Sequence, residues 1–177
     1  MKYELTNEKR TYKGVTLYRI RALDGVAGVV VPGALGGWIE SEKNLSQGSD
    51  GAWVSGNAQV SGNAQVSGNA WVSGNAWVYG DARVYGDAWV SGDARVYGNA
   101  EICAFVGFGS AFRQTTAFKD SKLGIRVVCG CFTGSLEQFR NQVIKTHGAE
   151  SKNGKLYLGM ANMIEFRLGE VDEHTHA

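Results

Sequence analysis

A six-residue unit repeats along the middle of the chain and leaves few folds open to it. From Val54 onward a β-branched apolar residue recurs at every sixth position, through Val60 and Val66 to Val96 and Ile102. Ser or Tyr follows each one, until Cys103. Then come Gly, Asn or Asp, Ala, and a variable slot filled by Gln, Trp, Arg or Glu. A fixed period of this kind is the mark of stacked or arrayed architectures. Within Ala-x-Val-Ser/Tyr the side chains alternate, so Ala and Val point to one side and the variable pair to the other. Gly-Asn and Gly-Asp adopt the positive φ of a sharp corner at little cost.

Two architectures satisfy this pattern. One is an antiparallel meander of four-residue strands with Gly-Asn hairpin turns. The other is a β-solenoid with three units per coil, so that eighteen residues complete a turn. The meander would leave a long flat Ala/Val strip with nothing to cover it, whereas the solenoid turns that strip inward on itself. Stacked strands would then lie about 4.8 Å apart. The variable slot fits the solenoid as well, because at eighteen-residue spacing Trp53, Trp71 and Trp89 fall on one face above Ser55, Ser73 and Ser91. The expected fold is mainly β: a parallel β-helix with three hexapeptides per coil.

The unit Val-[Ser/Tyr]-Gly-[Asn/Asp]-Ala-x resembles the hexapeptide repeat of left-handed parallel β-helices, and left-handedness is what that resemblance implies. The whole chain is similar to a group of bacteriophage and prophage hexapeptide-repeat proteins. That similarity is carried by Leu35-Gly-Gly-Trp-Ile-Glu40 with Asn44-Leu-Ser46, and by Cys129-Gly-Cys-Phe132 leading to Thr146-His-Gly148. It implies a phage accessory gene, and such genes often act against host systems. The best-known enzymes built on this repeat are trimeric acyltransferases with a catalytic His near a coil or an extruded loop. Here no His occurs before His147, and the regular units extrude no loop. General-base catalysis needs a group within hydrogen-bond reach of the substrate, so acyl transfer is disfavoured and no enzyme activity is expected.

Charge divides the chain. Residues 51 to 100 hold only Arg83, Arg95, Asp81, Asp87 and Asp93, and all the remaining charges lie in the flanks. Solenoids need polar ends, since an open last coil exposes apolar interior and unpaired edges. Residues 1–34, where Thr16 to Ile20 alternates like a strand, are expected to form a β-hairpin cap. The β-helix is expected over 35–110, with regular repeats at 52–107; Leu35 to Ile39 and Leu45 form a degenerate coil with a short insertion before Gly51. A small α+β module should occupy 111–171, ahead of a frayed tail at 172–177. In it, Thr115–Lys119 and Ile125–Phe132 read as a hairpin. Ser135 to Gln138 reads as a capping box opening a helix with Leu136, Phe139 and Val143 on one face. Leu156 to Leu168 reads as a second helix packed through Leu158, Met160, Met163, Ile164 and Phe166.

Composition removes several functions. Eighteen basic against 17 acidic residues leave a formal charge of +1, which argues against an acidic DNA mimic and a generic polyanion binder. The glycines recur every six residues and never lead into a helix, so a phosphate loop is excluded. No basic helix or stripe serves sequence-specific DNA. Three cysteines are too few for a disulfide scaffold. No apolar segment approaches the roughly 18 residues of a membrane span, so a cytoplasmic protein is expected, in the host cytosol if phage-encoded.

The outward faces carry the candidate sites. An exposed aromatic ladder calls for a partner, and Trp53, Trp71 and Trp89 are expected to form the interface of a homotrimer. Aromatic planes stack on nucleobases and Arg pairs with phosphates. Trp77, Tyr79, Arg83, Tyr85, Arg95 and Tyr97 are therefore expected to line clefts between β-helix subunits that sequester a small nucleotide-type immune signal. A host protein bound through the aromatic faces or the C-terminal module is the alternative partner. Cys129 and Cys131 would project to the same side of a strand, with Cys103 and His147 as further donors. Structural zinc wants four ligands, typically with Cys pairs two to four residues apart, so neither metal nor cofactor is expected.

Overall fold

The computed structural model describes residues 1–98, 101–108 and 113–169. Its centre is the solenoid. Eight two-residue strands follow one another at six-residue spacing: β4 (Trp53–Val54), β5 (Gln59–Val60), β6 (Gln65–Val66), β7 (Trp71–Val72), β8 (Trp77–Val78), β9 (Arg83–Val84), β10 (Trp89–Val90) and β11 (Arg95–Val96). Each pairs in parallel with the strand one coil away: Trp53 with Trp71 and Trp71 with Trp89, Gln59 with Trp77 and Trp77 with Arg95, and Gln65 with Arg83. The pairing is parallel throughout, so the meander is not the fold. Backbone amides bond to carbonyls of the following coil, as Ser55 N to Val72 O at 2.9 Å and Ser67 N to Val84 O at 3.0 Å. The Ala and Val residues of these units line a dry interior and are all buried.

Corner glycines keep the coils close. Gly68 has φ +70°, and a Cβ there would stand 2.9 Å from the Gly86 amide nitrogen of the next coil. Only a residue without Cβ satisfies both the left-handed backbone and that approach.

The N-terminal end is built from β1 (Tyr3–Tyr12) and β2 (Val15–Ala22), joined through Lys13 and Gly14, both at positive φ. Strand β2 pairs antiparallel with β3 (Leu35–Ile39), which runs parallel to β5 as the degenerate first coil. Trp38 and Ile39 stand below Gln59 and Val60, twenty-one residues on instead of eighteen, so the early insertion amounts to three residues. The hairpin thus extends one solenoid face sideways as well as covering the first coil, and its Tyr3 and Ile20 enter the solenoid core.

At the other end the winding stops earlier than the repeat implies. Parallel pairing ends at Val96. Ile102, the ninth apolar slot from Val54, instead begins β12 (Ile102–Phe108), which pairs antiparallel with β13 (Arg113–Asp120). The terminal module therefore begins at Ile102, not at 111, and the regular coils do not reach 107. After Cys103 the sequence runs Ala-Phe-Val-Gly-Phe with no Gly-Asn corner, so nothing bends the chain back into another rung. Strand β14 (Gly124–Cys129) follows β13, and β15 (Phe132–Ser135) completes a four-stranded sheet. Gly130, at φ +59°, turns β14 into β15 and breaks the single strand expected over 125–132.

This sheet is a partition. Ile102, Phe118 and Val128 on one side join the solenoid core, while Ala117, Val127 and Cys129 on the other join a second core with α1 (Leu136–His147) and α2 (Lys152–Leu168). Helix α1 starts as expected, with Ser135 and Gln138 in a capping box and Leu136, Phe139 and Val143 buried. Helix α2 begins four residues earlier than its expected start and packs through Met160, Ala161, Ile164 and Leu168. Met163 and Phe166 point outward. The tail at 172–177 lies outside the described residues. Among those described, no helix is long and apolar enough to cross a membrane.

Candidate functional site

The first face carries the expected tryptophan ladder, in register and tied by a repeated bond. Trp71 Nε1 donates to Ser55 Oγ at 3.2 Å and Trp89 Nε1 to Ser73 Oγ at 3.3 Å, so each indole is held by the serine one coil below. Exposure is graded, however. Trp53 is only 1 % exposed, with the Tyr3 ring edge-on at 6.4 Å; Trp71 is half-buried and Trp89 is 48 % exposed. Trp53 belongs to the core and cannot serve the subunit interface expected of it, because Tyr3 of the N-terminal cap packs against it.

On the second face Trp77, Tyr79 and Tyr97 come together but are closed on one another. Tyr79 stacks on Trp77 with centroids 4.2 Å apart, and Tyr97 tilts against Tyr79 at 5.1 Å. The hairpin takes what remains of Trp77: Tyr12 meets it edge-on at 4.8 Å, and Lys13 Nζ lies 5.0 Å from the ring centroid. Trp77 Nε1 donates to Ser61 Oγ. Arg95 is spent on main-chain carbonyls of Asn75 and Ala94, at 3.1 and 3.0 Å. Burial first, and then Glu101, push the Tyr79 hydroxyl above the ordinary tyrosine range. Trp77 is thereby buried, while the Tyr97 ring at the edge of this face stays 60 % exposed.

Arg83 and Tyr85 stand apart from those four, on the third face, and there a cleft opens. It encloses about 890 Å³ between the last rung of that face and β12, with Gln65, Arg83 and Tyr85 on one side and Cys103, Ala104 and Gln114 on the other. Its origin is the early departure of β12. In the coil before, Ser67 N and Asn69 N bond to Val84 O and Gly86 O. The equivalent amides of Tyr85 and Asp87 bond to no other backbone group among the described residues. The Tyr85 ring is 67 % exposed. An arginine, an exposed aromatic ring and two amide side chains therefore line one space. Burial pushes the Cys103 thiol up to about 11, so it lines the wall as a neutral thiol at physiological pH.

The remaining sulfur and imidazole groups do not converge. Cys131 sits in the turn after Gly130 and is exposed, while Cys129 stays in β14 and accepts from Thr115 Oγ1 at 3.1 Å. The same-side pairing expected of them fails because the strand breaks between them. His147 stacks on Tyr157 at the end of α1, with centroids 5.5 Å apart. Among the described residues no three His, Cys, Asp or Glu side chains are grouped to hold a metal ion. Sequence reasoning missed Gln114 and the β12 wall; the missing corner after Cys103 is the signal that could have found them.

Fold and faces together define a β-solenoid repeat protein with capped ends. Residues 58–74, 64–80 and 76–92 each match the family described as YdcK beta solenoid repeat, to which the central coils are accordingly similar. No curated protein matches the chain.

Proposed function

We propose that the chain is a non-enzymatic binding protein that sequesters a small nucleotide-type ligand in the third-face cleft. The observation that carries this reading is the cleft itself, where Arg83 and the exposed Tyr85 ring face one space of about 890 Å³. That volume lies within the range of small-molecule sites. Tyr85 supplies a stacking plane for a base, and Arg83 is of the type that pairs with phosphate. Gln65 and Gln114 supply amide groups that can read base edges. The cleft lies within one chain, so binding does not require a trimer. Together with the phage resemblance of the sequence, this makes sequestration of a host immune nucleotide the role that the reading assigns.

Isothermal titration with cyclic mononucleotides, cyclic dinucleotides and ADP-ribose-type ligands tests it. One ligand per chain is expected, with affinity falling at least about tenfold in Tyr85→Ala and in Arg83→Ala, each loss corresponding to ~1.4 kcal/mol or more. Trp77→Phe, on the closed second face, should bind normally. No heat from any member of the panel would remove the proposal.

A further inference from the structure

Helix α2 carries an apolar stripe outside both hydrophobic cores of the described residues. Leu156, Met163 and Phe166 are 40, 49 and 90 % exposed, and Gly159 lies among them, also exposed. At about 100° per residue these four positions share an arc of roughly 80°, a contact seam spaced three and four residues apart. The buried residues of α2, Met160, Ala161, Ile164 and Leu168, occupy the neighbouring arc and face the second core. Arg140 of α1 holds two polar neighbours of the stripe, bonding Asn162 Oδ1 at 2.9 Å and Glu165 Oε2 at 2.7 Å.

The order along the stripe is self-complementary. Reversed about the level of Ala161, Leu156 falls opposite Phe166, and Gly159 falls opposite Met163. Each large side chain then meets either another large one or the hollow above a glycine, which is how a knob finds its hole between antiparallel helices. A glycine at that position also lets two helix axes approach toward the short end of the usual 8–10 Å. We propose that this stripe pairs antiparallel with the same stripe of a second copy, in a two-fold symmetric contact.

Area supports a second copy as the occupant. At roughly 200 Å² for a large apolar side chain, the three exposures leave about 350 Å² of apolar surface on each copy. Interfaces are a little over half apolar, so about 700 Å² from two copies corresponds to a contact of about 1,200 Å², the lower end of specific association. A reversible dimer with micromolar dissociation is the expected strength. The inference is independent of what the cleft binds.

Sedimentation of the full chain across micromolar concentrations tests it. The wild-type protein should associate reversibly, and Phe166→Asp or Met163→Asp should halve the assembled mass while circular dichroism stays unchanged. Gly159→Met separates packing from stability. A Cβ at position 159 meets nothing within 4 Å, so thermal stability should hold or rise while the dimer is lost. In a Cys131→Ser background, a mixture of Leu156→Cys and Phe166→Cys chains should cross-link on oxidation, and neither alone should. A chain that stays monomeric, an assembly whose mass Phe166→Asp leaves unchanged, or cross-linking of Phe166→Cys with itself would each overturn the proposal.

Discussion

Glycines with the same positive φ differ in what surrounds them. Gly14 in the N-terminal turn has φ +81° and open space where a Cβ would go. Gly80, at φ +66°, has the Tyr97 carbonyl oxygen and ring against that position. Gly14→Ala should therefore cost only the left-handed backbone penalty, about 1–2 kcal/mol. Gly80→Ala adds displacement of the next coil, for a total of about 2–5 kcal/mol. Urea denaturation of the two variants should place the Gly80 midpoint clearly lower; equal midpoints would mean the coils are not in that close contact. Asp120 gives a second single-residue prediction. Its side chain is buried, which works to raise its pKa, but the Arg126 guanidinium at 2.7 Å and the amides of Lys122 and Leu123 outweigh that and hold it below the usual carboxylate range. A group depressed in the folded state contributes stability above its unfolded pKa and loses it as pH falls through the folded one. Asp120→Asn should accordingly cost about 3 kcal/mol at neutral pH, since Arg126 is left without its counter-charge. The gap to wild type should close below about pH 4, as read from denaturation midpoints across that range.

Among the elements, the corner Asn and Asp residues form ladders with a direction. Asn57 Nδ2 donates to Asn75 Oδ1, and Asn75 Nδ2 to Asp93 Oδ1; Asn63 donates to Asp81, and Asn69 to Asp87. The last member of each described run has only to accept, and there the sequence has Asp. Asn75→Asp should break its ladder by removing a donor and setting two carboxylates against each other. Its melting temperature at pH 7 should fall below wild type and recover below about pH 4, where a protonated carboxyl donates again. A melting temperature indifferent to pH would show that the ladder carries no weight. The change from Asn at 57–75 to Asp at 81–93 was visible in the sequence, but the direction of the ladders was not, because that depends on which coil lies above. The rungs and corners were legible for the opposite reason: each unit's neighbour is another copy of itself, so local spacing dictates the contacts. Where the copies end, that logic stops. Gly130 split an expected strand, and the apolar residues of α2 divided between inside and outside according to packing that no spacing of Leu, Met and Phe reveals. Of the expected binding residues, Arg83 and Tyr85 line an open cleft, whereas Trp77 lies under a hairpin that joins its face from far away in sequence.

At the scale of the molecule, one sheet separates two cores and belongs to both. Adjacent residues of β13 face opposite ways, Phe118 into the solenoid and Ala117 toward the helices. The same strand binds the last coil through Thr116 Oγ1, which accepts from Trp89 N, and through the Ala94–Asp120 bridge. The last coil is thus closed by the layer that supports α1 and α2, so the two halves should unfold together. Two probes separate them cleanly: all five tryptophans lie between Trp38 and Trp89, while the two α-helices lie beyond residue 135. Tryptophan fluorescence and helical circular dichroism should therefore give coincident transitions in wild type. Phe118→Ala leaves a cavity on the solenoid side, costing about 3–5 kcal/mol, and Val143→Ala does so on the helix side. Each should lower both midpoints together, although each is cut into only one core. If Val143→Ala moves the helical signal and leaves the fluorescence midpoint in place, the sheet plugs the solenoid without coupling to what lies behind it.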